Sequence, residues 1–225
     1  MTGSLVTGID ASRGGWVAVT LTGDGSVRVT VASTLDGLAL DGLALDGVTG
    51  IDMPLGLLPA GWRTADLLAR RALGRRGSSV FAIPPRPVWE EPRYADANRR
   101  CRELTGRGMS AQAWGLRGKL LEADVFRRAA KLPLYEVHPE LSFATLAGAP
   151  LADSKHSKNG LAIRRALLAT AGIVVPPRVR GAAEDDLLDA AAVAWSARRI
   201  AAGTATILTD QAQRADDATE IAIRY

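Results

Sequence analysis

The tripeptide Gly-Ile-Asp occurs twice, as Gly8-Ile9-Asp10 and as Gly50-Ile51-Asp52, each time closing a short β-branched run. Leu5 to Ala11 and Val48 to Met53 read as strands, because Val, Ile and Thr suit a pleated surface and the neighbouring Gly and Pro mark its limits. Each strand thus delivers an Asp at its C-terminal end. In open α/β sheets ligands sit at that edge, and two carboxylates aimed at one crevice repel unless a cation or a proton lies between them. The duplicated ending points to a divalent-metal site. An Asp in this position also opens turns and caps helices, as Asp10-Ala11-Ser12 would, so the metal reading requires a third acidic partner.

Trp16 to Thr22 and Val27 to Ala32 are expected as the second and third strands. Turns at Ser12-Arg13-Gly14-Gly15 and Gly23-Asp24-Gly25-Ser26 make the three an antiparallel meander. A threefold Leu-Asp-Gly repeat then runs from Leu35 to Gly47. Its period matches no solenoid, and it reads as a connecting helix or loop with solvent-facing Asp residues. Crossing the sheet there lets the strand of Asp52 lie parallel to the first, which brings both aspartates to one edge. Helices are expected over Thr64 to Leu73, Tyr94 to Thr105 and Ala111 to Ala130. The prolines at 84, 85, 87 and 92 predict a rigid loop rather than regular structure between the first two of these. Leu134 to His138 is expected as a fifth strand, closing on Glu136, His138 and Glu140, with His138 read as a hydrogen-bonded structural histidine. After the basic loop Ser154 to Gly160 comes a helix over about Leu161 to Ala171, and the tail from Ile207 reads as a loop with a short strand at Glu220 to Tyr225.

The third acid is sought in Glu184 to Ala202, a helix apolar nearly all round and therefore buried against the sheet. Glu184, Asp185 and Asp186 complement the dipole of its first turn. Asp189 lies a turn further in among Leu and Ala, where a lone carboxylate is costly and a partner is expected. Asp186 and Asp189, three apart, share one face of the helix. Asp10, Asp52, Asp186 and Asp189 are therefore the candidate catalytic and metal-binding residues, with Glu136 as an extra ligand. Mg²⁺ or Mn²⁺ is the expected ion, since both are hard cations that take carboxylate oxygens.

Composition bounds the rest. The 225 residues, 47% hydrophobic and 23% charged, suit one domain over 1–225 with a helical insertion at about 60–131. Residues 63 to 131 hold 16 Lys or Arg against 7 Asp or Glu, a balance of +9, whereas the remainder, 12 against 17, is −5. An acidic part that holds metal beside a basic part that meets a polyanion such as nucleic acid fits this asymmetry, as does a solvated arginine-rich helix surface. Arg13, Lys119 and Lys155 are candidate substrate-binding residues, with Lys119 or Lys155 positioning phosphate. Met1 to Thr7 shows no basic segment followed by an apolar one, and no run approaches the roughly 18 apolar residues of a bilayer span. A cytoplasmic protein with no membrane partner is expected. Cys101 is the only cysteine, so no intrachain disulfide forms, and an inert helical thiol is expected.

The order of parts resembles the ribonuclease H-like fold, with a mixed five-stranded sheet (three antiparallel strands, then parallel ones) flanked by helices. Asp186-Leu187-Leu188-Asp189-Ala190-Ala191-Ala192-Val193-Ala194 is similar to the acidic helix of RuvC-type Holliday-junction resolvases, whose other acids lie on the first and fourth strands. Those enzymes usually carry Glu where this chain has Asp52, and the shorter arm shifts a metal toward the strand. A closer resemblance covers nearly the whole chain. Gly8-Ile9-Asp10 with Arg13-Gly14-Gly15-Trp16, Ile51-Asp52-Met53-Pro54-Leu55-Gly56, Ser78-Ser79-Val80-Phe81, Glu136-Val137-His138-Pro139-Glu140 and Asp185-Asp186-Leu187-Leu188-Asp189-Ala190 are similar to domain-of-unknown-function family 429, described as predicted nucleases of the RNase H superfold. The resemblance implies a Mg²⁺- or Mn²⁺-dependent nuclease that hydrolyses phosphodiester bonds in DNA or RNA. Actin-like and sugar-kinase domains share the superfold, so a phosphotransferase or ATPase is the alternative enzyme, although no Gly-rich P-loop is present. A non-catalytic nucleic-acid-binding module is the third reading.

Overall fold

The computed structural model describes residues 5–40, 47–129 and 132–225. Its centre is a five-stranded sheet formed by β1 (Val6–Ser12), β2 (Gly15–Leu21), β3 (Val27–Ala32), β4 (Val48–Ile51) and β5 (Leu134–Glu136), in the order β3-β2-β1-β4-β5. The first three strands are antiparallel, and β4 and β5 continue parallel to β1, as the meander and crossover predict. The two copies of the tripeptide lie side by side in register, Gly8 opposite Gly50 and Ile9 opposite Ile51. The Asp52 amide donates to the Ile9 carbonyl at 2.8 Å, which carries the pairing to the strand ends.

Helices cover both faces. Between β3 and β4 lies α1 (Leu35–Leu40). Residues 41–46, which hold most of the second and third Leu-Asp-Gly copies, lie outside the described residues. Between β4 and β5 come α2 (Thr64–Leu73), a 3₁₀ turn (Gly74–Ser79), α3 (Arg86–Trp89), α4 (Tyr94–Thr105), α5 (Ala111–Gly115) and α6 (Arg117–Ala129). The helix expected over Ala111 to Ala130 is thus two, broken at Leu116. The proline-rich segment is not wholly irregular either. Pro85 has the extended backbone of a helix N-cap, Pro87 fits the first turn of α3, where no amide is needed, and Trp89 is fully buried and stacked on Trp114 at 6.3 Å. After β5 come α7 (Pro139–Ala147), which the sequence reading lacked, then α8 (Lys158–Thr170), α9 (Glu184–Ala201) and a ribbon of β6 (Ile207–Arg214) and β7 (Glu220–Arg224) where mostly loop is expected.

Ile9, Ile51 and Trp16 pack on one face against Leu35, Leu38, Ala97, Cys101, Leu120 and Phe126. Val6, Val17 and Val19 pack on the other against Leu187, Leu188, Ala191 and Ala194 of α9. Burying each Leu contributes about 1.5–3 kcal/mol. α9 approaches β1 and β4 closely because Gly8 and Gly50 present no side chain there: a Cβ on Gly8 would overlap the Ala194 amide nitrogen and the Ala190 carbonyl oxygen, and one on Gly50 would stand 2.8 Å from Val193 Cγ1. Each tripeptide therefore gives its Gly to α9, its Ile to the opposite layer and its Asp to the strand end. Among the described residues no helix is long and apolar enough to cross a membrane.

Candidate metal centre

Asp10 lies two residues before the end of β1, Asp52 follows β4, and Asp189 sits one turn inside α9. One carboxylate oxygen from each lies within 4.8 Å of the other two. Asp10 and Asp189 are almost fully enclosed, at 6% and 2% exposure. Asp10 Oδ1 accepts from the Ala11 amide at 2.7 Å, and the Lys155 ammonium meets Asp189 Oδ2 at 2.6 Å. Asp189 Oδ1 is buried and has no hydrogen-bond partner among the described residues.

Like charges in a desolvated space favour protons over ionisation. Burial, then the charges of Asp52 and Asp189, raise Asp10 well above the ordinary carboxylate range. Burial pushes Asp52 to about 7 and Asp189 to about 6, with Lys155 partly offsetting both. Burial works against the Lys155 ammonium, but Asp189, Asp10 and Asp52 outweigh it and hold its pKa above the usual lysine range. Fully ionised, the three carboxylates exceed the one ammonium by two negative charges, a group that could hold a divalent cation.

The centre opens on a cleft of about 520 Å³. Asp186, half-buried and one turn before Asp189, lines this cleft outside the three-carboxylate group, its pKa raised to about 6 by burial and by Asp185. Glu136, expected as an extra ligand, also lines the cleft but is engaged elsewhere. Arg63 Nη2 donates to both of its oxygens at 2.6 Å, and the Leu55 amide donates to Oε2 at 2.7 Å. Arg63 is itself 1% exposed and pairs with Asp66 at 3.3 Å, while Asp66 Oδ2 accepts from the Ile83 amide. These contacts tie the segment that follows β4 to the end of β5 and make Glu136 part of a buried ion-pair network.

Of the three basic candidates, only Lys155 reaches the cleft. Arg13 is exposed in the turn between β1 and β2. The Lys119 ammonium lies 4.4 Å from the centre of the Trp16 ring and 3.8 Å from Glu122, whose Oε1 accepts from Trp16 Nε1 and the Leu35 amide. His138 is half-buried, with its pKa lowered chiefly by burial, and Cys101 is buried, as expected of an inert thiol. The sequence reading missed the other wall of the cleft, formed by Arg76, Ser79, Phe81, Leu116 and Glu140. Glu140 is buried and accepts from Arg164 Nη2 at 2.6 Å, with Arg76 Nη2 at 3.8 Å. The motif Ser78-Ser79-Val80-Phe81 was the available signal for that wall.

No curated protein and no solved structure matches the chain. A family model described as "Protein of unknown function (DUF429)" matches residues 8–214. That span holds all three clustered aspartates, and the chain belongs to this family.

Proposed function

We propose that the protein is a hydrolase of phosphodiester bonds in nucleic acid that works with Mg²⁺ or Mn²⁺. The observation that carries this reading is the convergence of Asp10, Asp52 and Asp189, with the buried Asp189 Oδ1 left without a hydrogen-bond partner among the described residues. An orphaned carboxylate oxygen costs free energy, and the excess of two negative charges fits a hard divalent ion. Asp10, on the central strand β1, would be one ligand to the ion. Asp52 and Asp189 complete the set, and Asp186, on the same face of α9, serves as an outer carboxylate. When bound, the ion lowers the pKa of water and neutralises charge on phosphoryl oxygen.

The remaining roles belong to the chain itself. The Asp10, Asp52 and Asp189 carboxylates set where the scissile phosphate stops, because a phosphate approaches only where cations offset them. Lys155 Nζ, already at the centre, supplies one such charge to a non-bridging oxygen. Enclosure of the carboxylates by the sheet and α9 limits water to the cleft side, which strengthens each of these interactions.

The test is incubation with single-stranded and structured DNA and RNA plus Mn²⁺, beside Asp10→Asn and Asp189→Asn. Cleavage that disappears in both variants and in chelator is expected. Cleavage unchanged in both overturns the reading.

A further inference from the structure

We propose that the cleft beside the three carboxylates receives a single unpaired nucleotide, with its base on Phe81 and Leu116 and its phosphate reached by Arg76 and Lys155. The inference rests on the phosphodiester reading above and narrows its substrate.

Size is the first argument. The cleft holds about 520 Å³, within the range of about 300–1,000 Å³ that takes one small molecule. A duplex keeps its bases stacked inside and its phosphates outside, so it enters such a space only after a nucleotide is unpaired and turned out. That step is least costly where the base is already single.

The walls supply the second argument. Phe81 and Leu116 are half-buried, leaving apolar surface on the cleft where a base has a face to stack. Arg76, from the 3₁₀ turn, also lines the cleft. Its side chain is 30% exposed, and among the described residues its one ion-pair contact is a loose 3.8 Å one to Glu140 and its Nε has no hydrogen-bond partner. Guanidinium donors held this way match phosphate oxygens.

A long polyanion is held by many separate cation contacts. Here Arg86, Arg127 and Arg128 are committed to Asp124, Asp216 and Asp217, and Arg93 and Arg99 to Asp96. Arg76 and Lys155 are the lysine or arginine residues that line the cleft. Two cations suit one or two phosphates rather than a duplex track.

The test measures binding to the full chain in Ca²⁺, with a labelled oligothymidylate, a blunt hairpin duplex of equal length and free thymidine monophosphate as competitor. The single strand is expected to bind at least tenfold more tightly than the duplex and to be displaced by the monophosphate. Phe81→Ala is expected to weaken single-strand binding about tenfold, with Phe81→Trp restoring it and Phe81→Leu not. The Mn²⁺-induced rise in unfolding temperature stays the same in all three variants, which shows that they are folded and hold the ion. Direct calorimetric binding of the monophosphate with no oligothymidylate binding overturns the assignment to a nucleotide within a strand and leaves a free-nucleotide site. Equal affinity for the duplex, or a Phe81→Ala variant that binds like the parent, overturns it. Indiscriminate cutting of duplex interiors would refute this inference alone, whereas monophosphate binding without cleavage of any strand would refute the phosphodiesterase reading alone.

Discussion

Replacing Asp52 by Asn removes a charge that burial makes expensive, so the variant is expected to be more stable than the parent without metal and less stable with it. The Asp52 pKa stands at about 7 against an ordinary 3.8, so ionising it costs the folded chain about 4 kcal/mol in mildly alkaline buffer. Screening by solvent at the open cleft reduces the net gain to about 2 kcal/mol, or roughly 4–8 °C in unfolding temperature for a chain of this size. The sign follows from linkage. The folded chain holds a proton on Asp52 that the unfolded chain has released, so this contribution favours folding below about pH 4 and is lost as the pH climbs through about 7. In chelator, the advantage of Asp52→Asn is therefore largest near pH 8 and shrinks toward zero near pH 4. Adding Mn²⁺ reverses the order, because ion at about 100 times its dissociation constant stabilises the parent by about 2.7 kcal/mol and the variant far less. Thermal unfolding over this pH range, with chelator and with Mn²⁺, reads both effects. A variant that loses stability equally at every pH in chelator, or that keeps the full Mn²⁺ response, refutes the reasoning.

Gly8→Ala is expected to cost more than 3 kcal/mol or to abolish folding, read by denaturant unfolding, because its methyl would strike the backbone of α9 rather than a movable side chain. Arg63→Ala strands the buried Glu136 and Asp66 carboxylates and is expected to cost about 3–5 kcal/mol in the same assay, with Arg63→Lys recovering little, since one ammonium cannot replace the fork. Lys155→Ala frees Asp189 Oδ2, so calorimetric titration should show tighter Mn²⁺ binding while strand cleavage falls. Weaker Mn²⁺ binding in that variant would contradict the competition between ammonium and ion.

What the sequence revealed is what local pattern determines. The β-branched runs, the Gly and Pro boundaries and the apolar character of Glu184 to Ala202 carried the strand order and the meeting of Asp10, Asp52 and Asp189. What it concealed depends on distant partners. Glu136 resembles a ligand until Arg63, 73 positions away, occupies both its oxygens. Arg86, Arg127 and Arg128 look free in the sequence, yet Asp216 and Asp217, between β6 and β7, pair with them. Lys119 sits among arginines on α6, yet its place is over the Trp16 ring. Spacing along a chain gives no information about such long closures, and a charge's role is decided by what reaches it.

The close seating of α9 on Gly8 and Gly50 makes the separation between helix and sheet a calibration of ion size. Asp189 rides on α9 while Asp10 and Asp52 ride on the strands, so any side chain that lifts the helix widens the gap between the two sets of oxygens. Mg²⁺ binds oxygen at about 2.0–2.1 Å and Ca²⁺ at about 2.3–2.6 Å. A few tenths of an ångström, introduced beneath Ala190 or Ala194 without touching a single carboxylate, would therefore retune which ion the protein prefers.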